Sequence, residues 1–224
     1  MKDKISIIIP TRNEERTIGT IIKQTSKYSS DIIVVDGHSK DSTRDIAQSL
    51  KARVILDNSK GKGAALRIAV QNTTREIVLF MDADGSHETS DIPRLIKPIL
   101  EDKADLVVAS RMLGGSDELH GTLSNFLRNT GSNIIQLAIN YRFNVRLTDC
   151  ENGFRAIKRD VFNNLGLKAN DFDIEEEIVL KALKKKYRVI EVPSHEYERK
   201  FGKSQLSLLK IGYKFIYRLI INMF

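Results

Sequence analysis

The sequence predicts an α/β fold, a mostly parallel sheet with helices on both faces. Three observations lead there. Short apolar runs, such as residues 5–9 and 77–81, have the length and composition of strands buried on both faces. Segments with apolar residues on one helical face alternate with these runs through the first hundred positions. Two of the runs close on acidic residues, Asp36 and Asp82, at the carboxyl ends of strands, where open sheets of this kind bind ligands.

Each element follows in order. Residues 5–9 form a first strand that Pro10 ends, and residues 14–28 read as a helix with Ile18, Ile21 and Ile22 on one face. DIIVVD, 31–36, is the second strand. Ser39 to Thr43 offer N-cap residues for a helix carrying Ile46, Ala47 and Leu50. Residues 52–56 make a third strand, 62–72 a third helix and 77–82 a fourth strand. Residues 91–100 are helical, with Pro93 in the first turn, where its missing N–H does no harm. DLVVA, 105–109, is a fifth strand. Repeated βα units imply right-handed crossovers.

The second half is less regular. A Gly-rich loop spans 113–119, and a helix spans 123–140 with Arg128 and Ser132 four residues apart on one face. Residues 153–157 and 188–192 read as strands around a helix at 174–186. No repeat or flexible linker appears, so residues 1–205 form one domain and 206–224 a C-terminal amphipathic helix. In that helix Lys210, Lys214 and Arg218 fall within an arc of about 80°, opposite a broad apolar face. This describes a helix in a membrane interface, a terminal helix docked on the core, or a cover for a membrane-protein partner.

Composition sets the outer limits. The 224 residues are 41% hydrophobic and 29% charged, which suits a globular chain with a sizeable core. The single Cys150 excludes an internal disulfide framework and fits a reducing compartment. No signal peptide is visible, and no apolar run nears the roughly 20 residues that span a bilayer. A net charge of +7 points to an anionic partner. Basic residues are scattered without interleaved aromatics, so nucleic-acid binding is not expected.

The stretch Glu76 to Ser86, EIVLFMDADGS, carries the chemistry. Residues i and i+2 of an extended segment project to one side, so Asp82 and Asp84 can converge on a hard cation, Mg²⁺ or Mn²⁺, shared with substrate phosphates. The plainer reading is a polar turn after a strand.

Taken together, the segments resemble the family 2 glycosyltransferases of the GT-A fold, and within them the dolichyl-phosphate mannose synthases. The residues that carry this are IIIPTRNEERTI, IIVVDGHSKDST, NSKGKGAAL, MDADGS, Ser110-Arg111, DCENGFRAIKRDVF and the segment around Glu175. The resemblance implies a Rossmann-like mixed sheet. It places a nucleotide sugar, GDP-mannose first and UDP-glucose second, against Pro10, Arg12, Asn13, Glu14, Asp36, Gly37, Lys62, Asp82 and Arg199. Asp82 and Asp84 would hold the metal. Asp84, Asp149 and Arg111 would be catalytic, and Arg111, Arg128 and Ser132 would receive a polyprenyl (dolichyl) phosphate.

Several of these positions also have a physical rationale. Lys62 lies in a Gly-flanked turn at a helix start, which favours phosphate. An arginine fork suits a phosphate monoester. A monoester is dianionic near neutral pH, since its second pKa is about 6. Asp149, the family's base position, is therefore expected to position substrate rather than remove a proton. The expected activity is inverting hexosyl transfer at the cytoplasmic face of a membrane, with the protein peripheral there.

The chain also departs from the family. Ser86 stands where many relatives have Gln, and GKSQ at 202–205 lacks the usual lysine, which Lys203 would have to replace. His38 and His87 are extra histidines. A soluble family 2 transferase acting on a polysaccharide or small molecule, and a non-catalytic nucleotide-binding regulator, both stay open at this point.

Overall fold

The computed structural model describes residues 2–117, 123–199, 201 and 208–223, with backbone alone for 123–128 and 208–211. A seven-stranded sheet runs through the centre. Its strands are β1 (Ile5–Thr11), β2 (Asp31–Asp36), β3 (Arg53–Leu56), β4 (Ile77–Phe80), β5 (Leu106–Ser110), β6 (Arg155–Lys158) and β7 (Val189–Pro193), in the order β3-β2-β1-β4-β6-β5-β7. β6 is antiparallel to both β4 and β5, and every other pairing is parallel. The expected mixed, mostly parallel sheet is present.

Helices cover both faces: α1 (Ile18–Thr25), α2 (Thr43–Ser49), α3 (Lys62–Gln71), α4 (Ile92–Leu100), α5 (Arg111–Gly114), α6 (Leu123–Phe143), α7 (Arg159–Asn164), α8 (Ile174–Lys184) and α9 (Leu208–Met223). Alternation along β1 divides the core. Ile8 faces one cluster with Phe80, Leu66 and Ile178, whereas Ile7 and Ile9 face another with Leu79, Ile18 and Leu95. Both faces are buried, which is why these strands read as continuous apolar runs.

Several boundaries differ from the sequence reading. The first helix begins at Ile18 rather than residue 14, because Glu14 to Thr17 form a turn whose carbonyls accept the first helical N–H groups. Part of the expected Gly-rich loop is the short α5, capped by the Ser110 hydroxyl, which accepts from Leu113 N–H at 3.2 Å. α6 runs on to Phe143, past the expected end at 140.

The basic stripe of the C-terminal helix does not face outward. Lys214 pairs with Asp171 at 2.8 Å, and Arg218 pairs with Asp173 at 2.7 Å and Glu177 at 3.2 Å. The charges dock α9 on α8 and its neighbouring loop. A helical wheel fixes which residues share a face but not which face turns inward; here acidic residues around the α8 N-terminus made that choice. The side chain of Lys210 lies outside the described residues.

Candidate active site

The carboxyl ends of β1, β2 and β4 lie side by side, with Ile8 in register with both Ile33 and Phe80. This register brings the loops after Thr11, Asp36 and Phe80 to one rim of a cavity of about 1160 Å³. Typical small-ligand pockets are about 300–1,000 Å³, so two ligands can meet there.

At the centre, Lys62 Nζ lies 2.6 Å from Asp82 Oδ1 and 2.8 Å from Glu175 Oε1. Gly61, at φ +108°, opens α3 and lets Lys62 enter the site. A Cβ on Gly63 would stand 2.4 Å from the Ala169 carbonyl oxygen, so the helix start requires glycine to pack there. Gly153 fills the same role on the opposite wall, since a Cβ there would meet Asp82 Oδ2 at 2.8 Å and Lys62 Nζ at 3.0 Å. Burial pushes the Asp82 carboxyl up, but Lys62 and His87 together more than reverse this and hold it well below the usual carboxylate range. Burial wins at Glu175, whose pKa is raised.

Asp84 is held differently. Its Oδ1 accepts from the Ser86 backbone N–H at 3.0 Å and the Ser86 hydroxyl at 2.7 Å, and its Oδ2 pairs with Arg199 at 2.7 Å. Arg199 is more than a hundred residues away in sequence. A bridge between His87 and Glu196, with Tyr197 N–H donating to the Ser86 carbonyl at 2.8 Å, brings it there. His87 stacks on Phe154 at 4.9 Å and its Nε2 sits 3.6 Å from Asp82 Oδ2, beyond hydrogen-bond reach. Ser86 thus braces the second acid, a role its short side chain can fill.

On the rim, Pro10, Arg12, Glu14 and Gly37 line the cavity, and Lys62, Asp82, Asp84 and Arg199 line its interior. Asp36 and Asn13 do not. Asp36 is fully buried and both its oxygens are taken by Ser39, through the backbone N–H at 2.9 Å and the hydroxyl at 2.5 Å. Asn13, at φ 57°, accepts from Lys40 N–H at 2.8 Å. Asn13 ties the loop after β1 to the loop after β2, where Asp36 holds Ser39, and neither lines the cavity. The D-x-x-S spacing of 36–39 is the signal that marks such a local bond.

At the other end, the Arg111 guanidinium forms a fork on Asp149, with Nε to Oδ2 at 2.6 Å and Nη2 to Oδ1 at 2.8 Å. The Arg111 backbone N–H adds a third bond to Asp149 at 3.1 Å, and Glu196 lies 3.6 Å from Nη1. Glu191 accepts the N–H groups of Thr148 and Asp149, the latter at 2.6 Å, and so fixes the loop that carries Asp149. The Ser132 hydroxyl donates to Glu151 Oε2 at 2.7 Å. Glu151, Glu191 and Glu196 were not singled out from sequence, since lone glutamates carry no local pattern. The Arg128 side chain and residues 202–205, including Lys203, lie outside the described residues.

Arg155, in the GFR segment, is buried and donates to the carbonyls of Asn152 at 3.0 Å, Cys150 at 3.1 Å and Glu175 at 2.7 Å. It clamps the 149–153 loop against α8 from beneath.

A family model described as "Glycosyl transferase family 2" matches residues 6–166. The chain belongs to glycosyl transferase family 2. The matched region contains the paired acids, Arg111 and Asp149, while Glu175 and Arg199 lie beyond it. Among family 2 relatives, "Glycosyltransferase AglJ" of Haloferax volcanii is 31% identical over 202 residues, covering 89% of this chain and 65% of its own length. The chain therefore spans just under two thirds of AglJ. A UDP-N-acetylglucosamine–dolichyl-phosphate N-acetylglucosaminyltransferase of Methanococcus voltae is 28% identical, covering 98% of this chain and 96% of its own. Among solved structures, glucosyl-3-phosphoglycerate synthase from Mycobacterium tuberculosis, in complex with Mn²⁺, UDP and phosphoglyceric acid, superposes with a TM-score of 0.75. It is 19% identical and covers 98% of this chain and 78% of that one. The GT-A fold expected from the motifs is the fold observed.

Proposed function

We propose that this family 2 glycosyltransferase moves a hexose from a nucleoside diphosphate sugar to a polyprenyl phosphate at the cytoplasmic face of a membrane. One observation carries the proposal. A metal-competent pair of acids flanked by Lys62 and Arg199 shares a single cavity with the Arg111–Asp149 fork and Ser132, and part of the remaining wall is apolar, with Ile135, Phe215 and Leu219. That wall suits an acceptor with a lipid tail.

The donor set fits a divalent ion. Among the described residues no three acidic, histidine or cysteine side chains form a ready cage. Two carboxylates that leave positions for phosphate oxygens and water are the habit of Mg²⁺ and Mn²⁺. When bound, the ion would neutralise charge developing on the diphosphate leaving group. Asp82 and Asp84 would hold it.

The chain's own residues account for the rest. Lys62 and Arg199, each already resting on an acid, are the cations available to the diphosphate. Arg111 orients the acceptor phosphate, with Asp149 fixing the plane of its guanidinium and Ser132 supplying a hydroxyl. A phosphate oxygen attacks the anomeric carbon as the bond to the diphosphate breaks, and the nucleoside diphosphate leaves. A dianionic nucleophile needs alignment and charge neutralisation more than a base.

GDP-mannose is the first donor by motif resemblance. A UDP-linked sugar is the second reading, favoured by the UDP in the name of the Methanococcus voltae relative. The test is incubation of the purified protein with Mn²⁺, a polyprenyl phosphate and radiolabelled GDP-mannose, UDP-glucose or UDP-N-acetylglucosamine. Organic-extractable label that vanishes in Asp84→Ala supports the reading. No organic-extractable label from any of the three donors overturns it.

A further inference from the structure

Ser132 of α6 and Glu151, in the loop before β6, both line the cavity beside the Arg111–Asp149 fork. The Ser132 hydroxyl donates to Glu151 Oε2 at 2.7 Å, and among the described residues it is the hydrogen-bond partner of that carboxyl. Both ends of this bond are held. One turn along α6 from Ser132, Gln136 accepts the Cys150 N–H at 2.9 Å. Arg155 donates to the Cys150 and Asn152 carbonyls at 3.1 and 3.0 Å, on either side of Glu151.

The neighbouring acids are committed elsewhere. Asp149 accepts from Arg111 with both oxygens, Glu196 accepts from the Ser116 hydroxyl at 2.8 Å, and Glu175 pairs with Lys62. At this end of the cavity, Glu151 is the acid whose partner hydroxyl also lines the cavity. The direction of that bond matters. A hydroxyl has one proton to give and two lone pairs that accept. Ser132 spends its proton on Glu151, so its lone pairs are what it offers to a phosphate. Lone pairs repel a fully ionised phosphate oxygen and receive one that still carries a proton.

We propose that Glu151, acting through Ser132, takes the last proton of the acceptor phosphate during transfer. This rests on the proposed function for the acceptor and adds the case of a phosphate that arrives singly protonated. A monoester has its second pKa at about 6, so both forms are at hand near neutral pH. The P–OH proton passes to Ser132 Oγ as the Ser132 proton passes to Glu151 Oε2. A phosphate oxygen forms its bond to the anomeric carbon, and the bond from that carbon to the diphosphate breaks with its electron pair. The glycosyl phosphodiester and the nucleoside diphosphate leave, and Glu151 returns its proton to water. Ser132 ends with a hydroxyl aimed at the new phosphodiester.

The surroundings suit a proton acceptor. Burial raises the Glu151 pKa more than the Ser132 bond and Arg111 lower it, and Asp149 and Glu175 add to the rise. Glu176 faces it from α8 as a further acid. A base whose pKa is brought up toward that of the phosphate exchanges a proton with it at little cost.

Binding is measured first, by calorimetric titration of the full chain with a water-soluble short-chain prenyl phosphate from about pH 6 to pH 9.5. Wild-type affinity should fall on the alkaline side, by up to about tenfold per pH unit, as the shared proton is lost. Glu151→Gln still accepts from Ser132 but holds no proton, and its affinity should change less than about twofold there. Unchanged Mn²⁺ and nucleoside diphosphate affinity shows that the variant is folded. Transfer to polyprenyl phosphate is then followed against pH. Glu151→Gln should lose about 100-fold near pH 6 and recover to within about threefold of wild type near pH 9, where the phosphate arrives ionised. Ser132→Ala should show the same loss at low pH, and the double variant no more than either. Parallel pH profiles for wild type and Glu151→Gln overturn the inference while leaving the proposed reaction standing. A steep alkaline slope in wild-type binding without any transfer sinks the proposed reaction alone, and no phosphate binding at all sinks both.

Discussion

Lys62 Nζ stands 2.6 Å from Asp82 Oδ1, so the first acid of the pair is neutralised by the chain's own ammonium before any divalent ion arrives. The lysine is almost fully enclosed and bridges to Glu175 as well. Burial alone would lower its pKa, but the two carboxylates raise it above its ordinary value. It is a resident cation at the place where the donor diphosphate would bring charge.

Replacing that cation separates its roles. In Lys62→Met, Asp82 and Glu175 face each other without a counter-charge. Transfer should fall about 100-fold or more. Mn²⁺ affinity without nucleotide should be unchanged or tighter, because the competing ammonium is gone. Calorimetric titration of Mn²⁺ into both proteins checks this; clearly weaker binding in the variant would mean the lysine helps to build the metal site.

Asp149 is expected to act through Arg111. Asp149→Asn loses the charge-assisted fork, and kcat/KM for the acceptor should drop about 10–100-fold. The shape of the pH–rate profile should be the same as wild type. An acid limb present in wild type and missing in the variant would instead make Asp149 a proton acceptor.

Two glycines in helices should respond oppositely to alanine. Gly63→Ala drives a Cβ against the Ala169 carbonyl and should cost about 1–3 kcal/mol. Gly131→Ala meets nothing within 4 Å among the described residues and should gain about 0.5–1 kcal/mol by removing helix entropy cost. Urea melts of the two variants decide it.

Glu176 on α8 makes stability depend on pH. It is fully buried and neither oxygen has a hydrogen-bond partner among the described residues. Burial, with Glu151 and Asp173 adding like charge, pushes its pKa up to about 9. An acid raised in the folded state above its unfolded value of about 4.3 penalises folding progressively as pH climbs between those two values. Glu176→Gln should therefore match wild type near pH 4 and be more stable by about 1–3 kcal/mol near pH 9. A gap that is constant with pH would show that folding does not raise the pKa of this carboxyl.

Much of the site was legible in the chain because its chemistry is local. Asp82 and Asp84 follow a buried strand that ends at Phe80, and both line the cavity, although Asp84 sits in the turn after the strand rather than in extended chain. Lys62 announces itself by its flanking glycines. Arg199 was reachable only through family resemblance, since its 2.7 Å contact with Asp84 depends on a bridge between His87 and Glu196. Asp36 shows the reverse. An acid at a strand end looks like a ligand group, yet Ser39 three residues on takes both its oxygens.

The sequence by itself determined the sheet, its helices and the place of the acidic pair after β4, because period and strand-end position are properties of neighbours along the chain. Only the tertiary structure decided the direction of α9 and the use of Arg111. Amphipathicity defines two faces of a helix and is silent on which one meets the core. Here Asp171, Asp173 and Glu177 drew the basic face inward and left Ile216, Tyr217 and Ile220 outside. Arg111 likewise could have met any acid, and Asp149, some forty residues on, claimed its fork because the antiparallel β6 pairs with β5 and brings the loop before it back beside the end of that strand.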